Sequence, residues 1–441
     1  MQIWSIEPPQ RSTPEANTHR FSTHTPSPRP RPISPSETRE VWKRKKYSGN
    51  VRAVMPERLL AAPTTLRTTS DALRTVENRE QFAVIHMPFM MGNSFTPDFQ
   101  RATYAALHLS APILTEGYLA FLGVMTCYQK ALVLRRGEPD ICKAAKALKR
   151  LQNVNIIRDN DAACVLFLGQ AMYVFNILTA AISSTAHSIV RSSLITTKQW
   201  YPRLIQCPAM DTVIITPILI DTVECLVRRE VPIVRLMIPD RIIVDRYVGL
   251  CSTLLPHMYD ICERSHALKK AALDTTSGPH PGVHDSFADI EQKIREWKPE
   301  IPPRFFTEYG RHEILIMMTQ ATVYRLAALL IVHRLRYPFG VEDDPATYLA
   351  HSIFSEISYF AQSAAKDATA LPVVFPLIVA MLEIEGPGEE ILENLSSYTV
   401  QSICAAKLQG FVKQVRASRE SGYGGVWFDL VDTQLDTAVV P

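Results

Sequence analysis

The sequence has little glycine and lacks the loops on which nucleotide and hydrolase sites are built. Only 17 of its 441 residues are glycine, and neither a G-x-x-x-x-G-K-[ST] loop nor a G-x-G-x-x-G loop occurs. The late segment "SGYGGVWFD" has neither that spacing nor a preceding strand. A G-x-S-x-G elbow is missing as well. The sequence therefore predicts neither a phosphate-cradling fold nor an α/β-hydrolase.

Closely spaced cysteines are also missing. The eight cysteines stand at least eleven positions apart, so there is no C-x-x-C motif, and most lie in apolar helical stretches. This pattern favours reduced thiols over a disulfide framework or a zinc site. We therefore assign no zinc ligand.

Histidine does not form a metal motif. His312 and Glu313 begin an H-E pair, but Ile316 occupies the place of the second histidine of a zinc-protease helix. His280 and His284 lie four positions apart in a Gly/Pro loop. His333 is interpreted as a cation at a helix end or a buried core residue. None of these histidines is assigned to a metal.

Acidic residues are too sparse for the magnesium site of an isoprenoid-cyclising helical enzyme. Asp343 and Asp344 form one candidate pair, and Asp240 with Asp245 forms the other. Neither pair gives three carboxylates on one helix face. Pro345 makes the first pair the start of a helix, where acids are favoured in any case. We assign no catalytic, cofactor-binding or metal-binding residue.

Apolar residues at helical spacing dominate the rest of the chain. Hydrophobic residues make up 46%, charged residues 21%, and proline occurs 31 times, which suits long helices joined at proline-marked turns. We predict an all-α fold, a large multi-helix bundle at residues 80–435 after a disordered tail at 1–75. The loop at 274–285 allows one bundle or two sub-bundles. The predicted helices are 97–110, 113–136, 139–152, 158–188, 210–229, 240–272, 284–297, 308–336, 345–369, 373–385 and 388–418.

Two apolar segments allow a second interpretation. Residues 162–190 contain no Asp, Glu, Lys or Arg and could span a bilayer, but side chains such as Gln170 and Asn176 interrupt them. A buried central helix is favoured, and no membrane contact is expected. The segment "DTVIITPILID" would suit a strand, yet Pro217 and the helical patterns around it favour a kinked, buried helix.

The N-terminal tail is basic. Residues 1–50 carry nine Lys and Arg against four Glu, a net charge of +5, and are rich in Pro and Ser. The run Lys43, Arg44, Lys45, Lys46 suits a nuclear import signal, a nonspecific phosphate contact or a solvated surface. No basic region followed by an apolar run opens the sequence, so no signal peptide is expected.

Four segments, in this order, carry a family resemblance. They are "IEQKIREWKPEIPPRFF", "LLIVHRLRYPFG", "LPVVFPLIVAMLEIE" and "GGVWFDL". Over residues 80–435 the chain resembles the regulatory domain of fungal zinc-cluster transcription factors. The residues that carry this signature, and for which a structural role is expected, are Trp297, Pro299, Arg336, Tyr337, Pro338, Phe339 and Trp427.

The resemblance implies an all-helical regulatory domain that acts in the nucleus on transcription, and it suggests control of a metabolic or secondary-metabolite gene cluster. Members of this family usually read DNA with six cysteines that hold two zinc ions near the N-terminus. Here the first cysteine is Cys127. We therefore expect DNA-bound transcription proteins as partners rather than direct DNA binding. A non-catalytic helical scaffold and an all-α enzyme are the alternatives.

Overall fold

The computed structural model describes residues 68–133, 139–179, 183–273, 287–363, 370–395, 402–435, 439 and 441. Most of the predicted tail, including Lys43–Lys46, lies outside these residues, and so does the loop at 274–285. Within the described residues the fold is all-α. They contain no β-strand, only one isolated bridge between Asp245 and Gly249.

Fifteen helices of eight residues or more are described, and they are numbered here in chain order. They are α1 Thr69–Glu77, α2 Arg79–His86, α3 Thr96–Leu109, α4 Ala111–Val133, α5 Ile141–Gln152, α6 Asp159–Thr179, α7 Ser183–Thr197, α8 Asp211–Arg228, α9 Leu255–Leu273, α10 Ala288–Glu296, α11 Arg311–Arg336, α12 Asp343–Ser363, α13 Val374–Glu383, α14 Gly388–Leu395 and α15 Ser402–Glu420. Shorter helical turns are Met87–Phe89, Asn93–Phe95, Lys198–Trp200, Tyr201–Leu204, Pro208–Met210, Cys251–Leu254, Phe305–Glu308, Trp427–Leu430 and Val431–Gln434.

Local side-chain chemistry fixes several helix starts. Thr68 caps α1 in a capping box, where its side chain accepts from the Asp71 amide and Asp71 accepts from the Thr68 amide. The Asp140 carboxylate accepts from the Lys143 amide at 2.9 Å and begins α5. Helix α1 crosses the predicted boundary at residue 75, and with α2 it occupies a stretch for which no helix was predicted.

The helix prediction was confirmed for the segment around Pro217 and was wrong at 240–250. Pro217 lies inside α8, where every residue from Asp211 to Val227 is buried. Residues 240–250 instead form an irregular loop, because the Asp245 carboxylate accepts from the amides of Tyr247 and Val248 at 2.9 and 2.8 Å. Such a local bond offers the backbone an alternative to a helix.

The most apolar helices form the centre of the body. By length and composition α6 and α11 could each cross a bilayer, but 78% and 67% of their apolar windows are buried within the body. Helices α8 and α13 are almost fully buried as well. Buried residues from both sides of the 274–285 loop belong to one core. These helices are therefore placed as core elements.

A buried arginine joins three helices of this core. Arg334, near the end of α11, is 1% exposed. Its Nη2 lies 2.6 Å from Glu383 Oε2 on α13 and 2.7 Å from Asp343 Oδ1 at the start of α12. Its Nη1 lies 3.3–3.4 Å from the carbonyls of Tyr337, Pro338 and Val341, where the chain turns from α11 to α12.

Replacing Arg334 with alanine is expected to lower the free energy of unfolding by about 3–5 kcal/mol, because buried Glu383 would lose its partner. Urea unfolding of the full chain, followed by circular dichroism, measures this change. The control is Arg101→Ala, which breaks an ion pair between side chains that are 74% and 71% exposed. It should cost at most about 1 kcal/mol. Equal losses in the two variants would contradict the role given to Arg334.

Candidate functional site

The tryptophan of the first signature segment anchors the end of α10. Trp297 is buried, and its Nε1 donates to Thr253 Oγ1 at 3.0 Å. Its backbone is extended, so the helix ends there, and Pro299 follows in the turn. The contact ties α10 to the turn before α9.

Two signature segments that lie far apart in the sequence meet in space. The Phe339 amide donates to the Gly425 carbonyl at 3.3 Å, two residues before Trp427. The guanidinium of Arg419 stands 3.9 Å from the centre of the Phe339 ring. Trp427 is buried and stacks on Phe428. The Tyr337–Phe339 turn and the late "GGVWFDL" segment therefore form one joint.

Arg336, the arginine of the predicted signature, makes a peripheral contact. Its guanidinium contacts the Glu291 carboxylate on α10 and lies over the Tyr337 ring. The fully buried cation of this turn is Arg334, which the predicted signature did not include. The apolar run before it was the available signal, because a cation within such a run needs a buried partner.

The histidines and acids weighed as ligands have structural contacts. Glu313 closes the start of α11 by accepting from the Gly310 amide at 2.7 Å, and it also accepts from Ser94. Asp343 binds Arg334, as described above. His333 contacts the Glu342 carbonyl at 2.7 Å. Asp240 and Asp245 lie in the irregular loop rather than on one helix. His280 and His284 lie outside the described residues.

One buried cluster has the side-chain types of a metal site. His187 Nε2 lies 2.9 Å from Asp221 Oδ1, and Cys225 Sγ lies 3.7 Å from the same oxygen. However, Arg191 Nη1 lies 3.1 Å from that sulfur, where its positive charge opposes a metal ion. Burial raises the pKa of Cys225, and a metal needs the thiolate. The cluster fits a structural hydrogen-bond network.

The other buried thiols are poor nucleophiles. Burial raises the pKa of Cys164 to about 12, and it raises the pKa of Cys251 and Cys262 as well. A catalytic cysteine requires the opposite shift. These residues therefore serve as small core side chains.

A cavity of about 70 Å³ lies between α2, α4, α6 and α8. The space exceeds the roughly 10–15 Å³ that one buried water occupies, so it can take a small molecule larger than a water. Its wall is mainly aromatic, with few polar groups. The principal lining residues are His86, Phe89, Phe99, Phe121, Phe167, Gln170, Ala171, Tyr173, Thr216, Arg246, Tyr247 and Pro441.

Arg246 is the charged residue of the described wall. It is 4% exposed, and it donates to the carbonyls of Phe89 and Thr212 and to Gln170 Oε1 at 2.6, 3.0 and 3.0 Å. Its guanidinium lies 4.1 Å from the centre of the Phe99 ring. No carboxylate side chain among the described residues is within ion-pairing distance. Burial is the larger influence on its pKa and lowers it, while Asp245 raises it.

A tight turn holds Arg246 in this place. The Asp245 and Gly249 amides each donate to the other residue's carbonyl, at 3.1 and 2.9 Å. Gly249 has φ +57°, and a Cβ there would meet Gln320 Oε1 at 2.6 Å. Glycine alone fits both constraints. The Met91 amide donates to the Arg246 carbonyl at 2.9 Å, which fixes the turn against the segment after α2.

His86 forms the aromatic end of the cavity as a neutral ring. Its Nδ1 lies 2.8 Å from the Phe82 carbonyl, and the Phe82 ring stacks on it at 4.0 Å. Burial is the main cause that lowers its pKa from 6.5 to about 3. At neutral pH His86 therefore adds no second positive charge to the cavity wall beside Arg246.

A wider groove of about 750 Å³ runs beside α3 and α6. Its two arginines are already paired within it, Arg101 with Asp98 and Arg241 with Asp211. The groove therefore lacks an unpaired arginine of the kind found in the aromatic cavity.

Comparison with known proteins identifies the class. The fungal-specific transcription factor domain matches residues 172–417, more than half of the chain. The chain belongs to this family, and it is accordingly a transcription regulator. The match falls within the stretch on which the sequence resemblance was based. No curated protein and no solved structure matches the chain.

Acid is expected to destabilise the protein in part through His86. Between pH 6.5 and 3 the unfolded chain binds a proton at this ring that the folded chain excludes, so stability falls as the pH drops through this range. From pH 7.5 to pH 5 the histidine should account for about 2 kcal/mol. Urea unfolding at both pH values measures the loss.

The variant His86→Phe should show a smaller loss over the same range, because phenylalanine does not titrate. His108→Phe, at an exposed position on α3, is the matched control and should keep the original pH dependence. An unchanged loss in His86→Phe would contradict the assignment.

Proposed function

We propose that this protein regulates transcription in the nucleus of a fungal cell and does so through its helical body rather than through catalysis. The observation that carries the proposal is the family match over residues 172–417. The structure supports it because polar clusters with the side chains of a catalytic or metal site, such as His187, Asp221 and Cys225, form hydrogen bonds among themselves. A helical scaffold outside transcription is the alternative.

The partners proposed are DNA-bound transcription proteins. The 441 residues contain no six-cysteine cluster near their start, because the first cysteine is Cys127. Because these residues hold no such cluster, we propose that the helical body acts on DNA through another protein. The body offers a rigid platform for this, since α11, α12 and α13 are joined at Arg334. Control of a metabolic or secondary-metabolite gene cluster is the finer form of the proposal, and the resemblance supports it.

A tethering experiment tests the regulatory role. The full chain is fused to a foreign DNA-binding domain and expressed in a fungal host with a reporter gene that carries the matching sites. We expect reporter transcription to rise or fall relative to the DNA-binding domain alone at equal protein levels. Transcript profiling after deletion of the gene then identifies the target set. An unchanged reporter, with the fusion shown by immunoprecipitation to occupy its sites, would contradict the proposal.

Nuclear import is expected to depend on the basic run Lys43–Lys46. Changing all four residues to alanine in a fluorescent fusion should move the protein from the nucleus to the cytoplasm, because import signals are read through their positive charge. Fluorescence microscopy measures the ratio between the two compartments.

The matched control removes four cations from a surface helix of the body. It should leave the nuclear signal unchanged, and equal effects of the two sets would mean that total charge matters rather than this run. The control positions on α5 are Lys143, Lys146, Lys149 and Arg150.

A further inference from the structure

The guanidinium of Arg246 is a buried charge without an ionic partner in the described part of the chain. A cation taken out of water costs free energy unless it is paired and hydrogen-bonded. Of its five N–H groups, three donate to Phe89, Thr212 and Gln170. Two N–H groups of Arg246, which lines the cavity, do not take part in these bonds.

The nearest acid does not fill this role. Asp245 is buried next to Arg246 in the chain, but its Oδ1 accepts from the amides of Tyr247 and Val248 and serves the turn. The carboxylate lies outside ion-pairing distance of the guanidinium. Asp245 therefore acts on Arg246 through its nearby charge, which raises the pKa of the guanidinium, and leaves Arg246 without a direct ion pair.

The arginine is held ready for a ligand. Gln170, which accepts from Arg246 Nη2, is itself fixed because its Nε2 donates to the Val213 carbonyl at 2.6 Å. The Phe99 ring supports the guanidinium from one side. A group held in place in this way loses little conformational entropy when it binds an anion.

The wall determines the body of the ligand. Aromatic rings form much of the cavity wall, among them Phe89, Phe121 and Phe167. Such walls favour a flat apolar group over a sugar or a peptide. The space of about 70 Å³ limits this group to a single ring at most.

The charge of the wall determines the head group. A phosphate dianion calls for several cations, and here His86 is neutral and Arg246 is the single cation of the described wall. A carboxylate needs one guanidinium, with which it can form two parallel hydrogen bonds. A monocarboxylate fits this site better than a phosphate does.

We propose that the cavity is a binding site for a small monocarboxylic acid with an aromatic body, whose carboxylate pairs with Arg246. The proposal that the cavity binds such an acid depends on the geometry alone. The further claim that binding controls transcription also rests on the proposed function. Because the site lies between α2, α4, α6 and α8, a bound acid would stabilise the packing of these helices.

Binding to the purified full chain tests the proposal. Isothermal titration calorimetry is carried out with benzoate, phenylacetate and 3-phenylpropionate, each compared with its neutral amide. We expect saturable binding of at least one acid, about tenfold or more tighter than its amide, since a hydrogen bond to a charged group is worth about 1.5–3 kcal/mol. Failure of all three acids to bind, or equal affinity for acid and amide, would overturn the proposal.

Two variants locate the site. Arg246→Met should weaken binding of the acid about tenfold or more and weaken binding of the amide by less. Ala171→Leu fills the cavity from α6 without touching Arg246 and should abolish binding, which keeps the test decisive if Arg246→Met does not fold. Ala163→Leu, on the same helix but facing the wider groove, is the matched control. Binding that survives Ala171→Leu would place the acid elsewhere and overturn the assignment.

This readout is separate from transcription. An acid that binds as described to a protein inactive in the tethering experiment would leave the site standing and the regulatory role contradicted. If the protein regulates the reporter but does not bind the acids, the regulatory role would stand and the binding site would be contradicted.

Discussion

The ion pair of Arg334 with Glu383 and Asp343 is the constraint on which the arrangement of the later helices depends. A guanidinium inside an apolar core is tolerated only where carboxylates and carbonyls surround it, and this requirement fixes α11, α12 and α13 relative to one another. Arg334 and Arg419 both lie over the Phe339 ring, so α15 is brought to the same point. The burial of one side chain thus organises four helices and the turn between two of them.

Arg246 is a second buried arginine, but its hydrogen-bond partners carry no net charge. Both arginines are almost fully buried and both donate to backbone carbonyls. Arg334 also has two carboxylates, whereas Arg246 has carbonyl dipoles and an aromatic ring. Arg246 also lines a cavity. A charge that is neutralised within the fold serves stability, and one that is not can serve recognition.

This separation suits a transcription regulator. The match to the fungal-specific transcription factor domain covers residues 172–417, which include both Arg246 and Arg334. The ion-pair network at Arg334 fixes the helices around it, and the proposed binding site at Arg246 is where a ligand would alter helix packing. The buried thiols and the His187 cluster contribute to packing and hydrogen bonding.

The sequence by itself determined the helical class, the buried helix around Pro217 and the turns at Trp297 and Tyr337–Phe339, because apolar periodicity and proline act locally along the chain. It did not predict that residues 240–250 form a loop. The apolar spacing there is typical of a helix and gives no sign of the hydrogen bonds that the Asp245 side chain accepts from the next residues' backbone amides. Only the tertiary structure placed Arg334 between Glu383 and Asp343, and Arg246 against Phe89 and Gln170. Glu383 and Asp343 lie 49 and 9 positions from Arg334. Phe89 and Gln170 lie 157 and 76 positions from Arg246. Ion pairs and hydrogen bonds between such residues depend on how the helices pack.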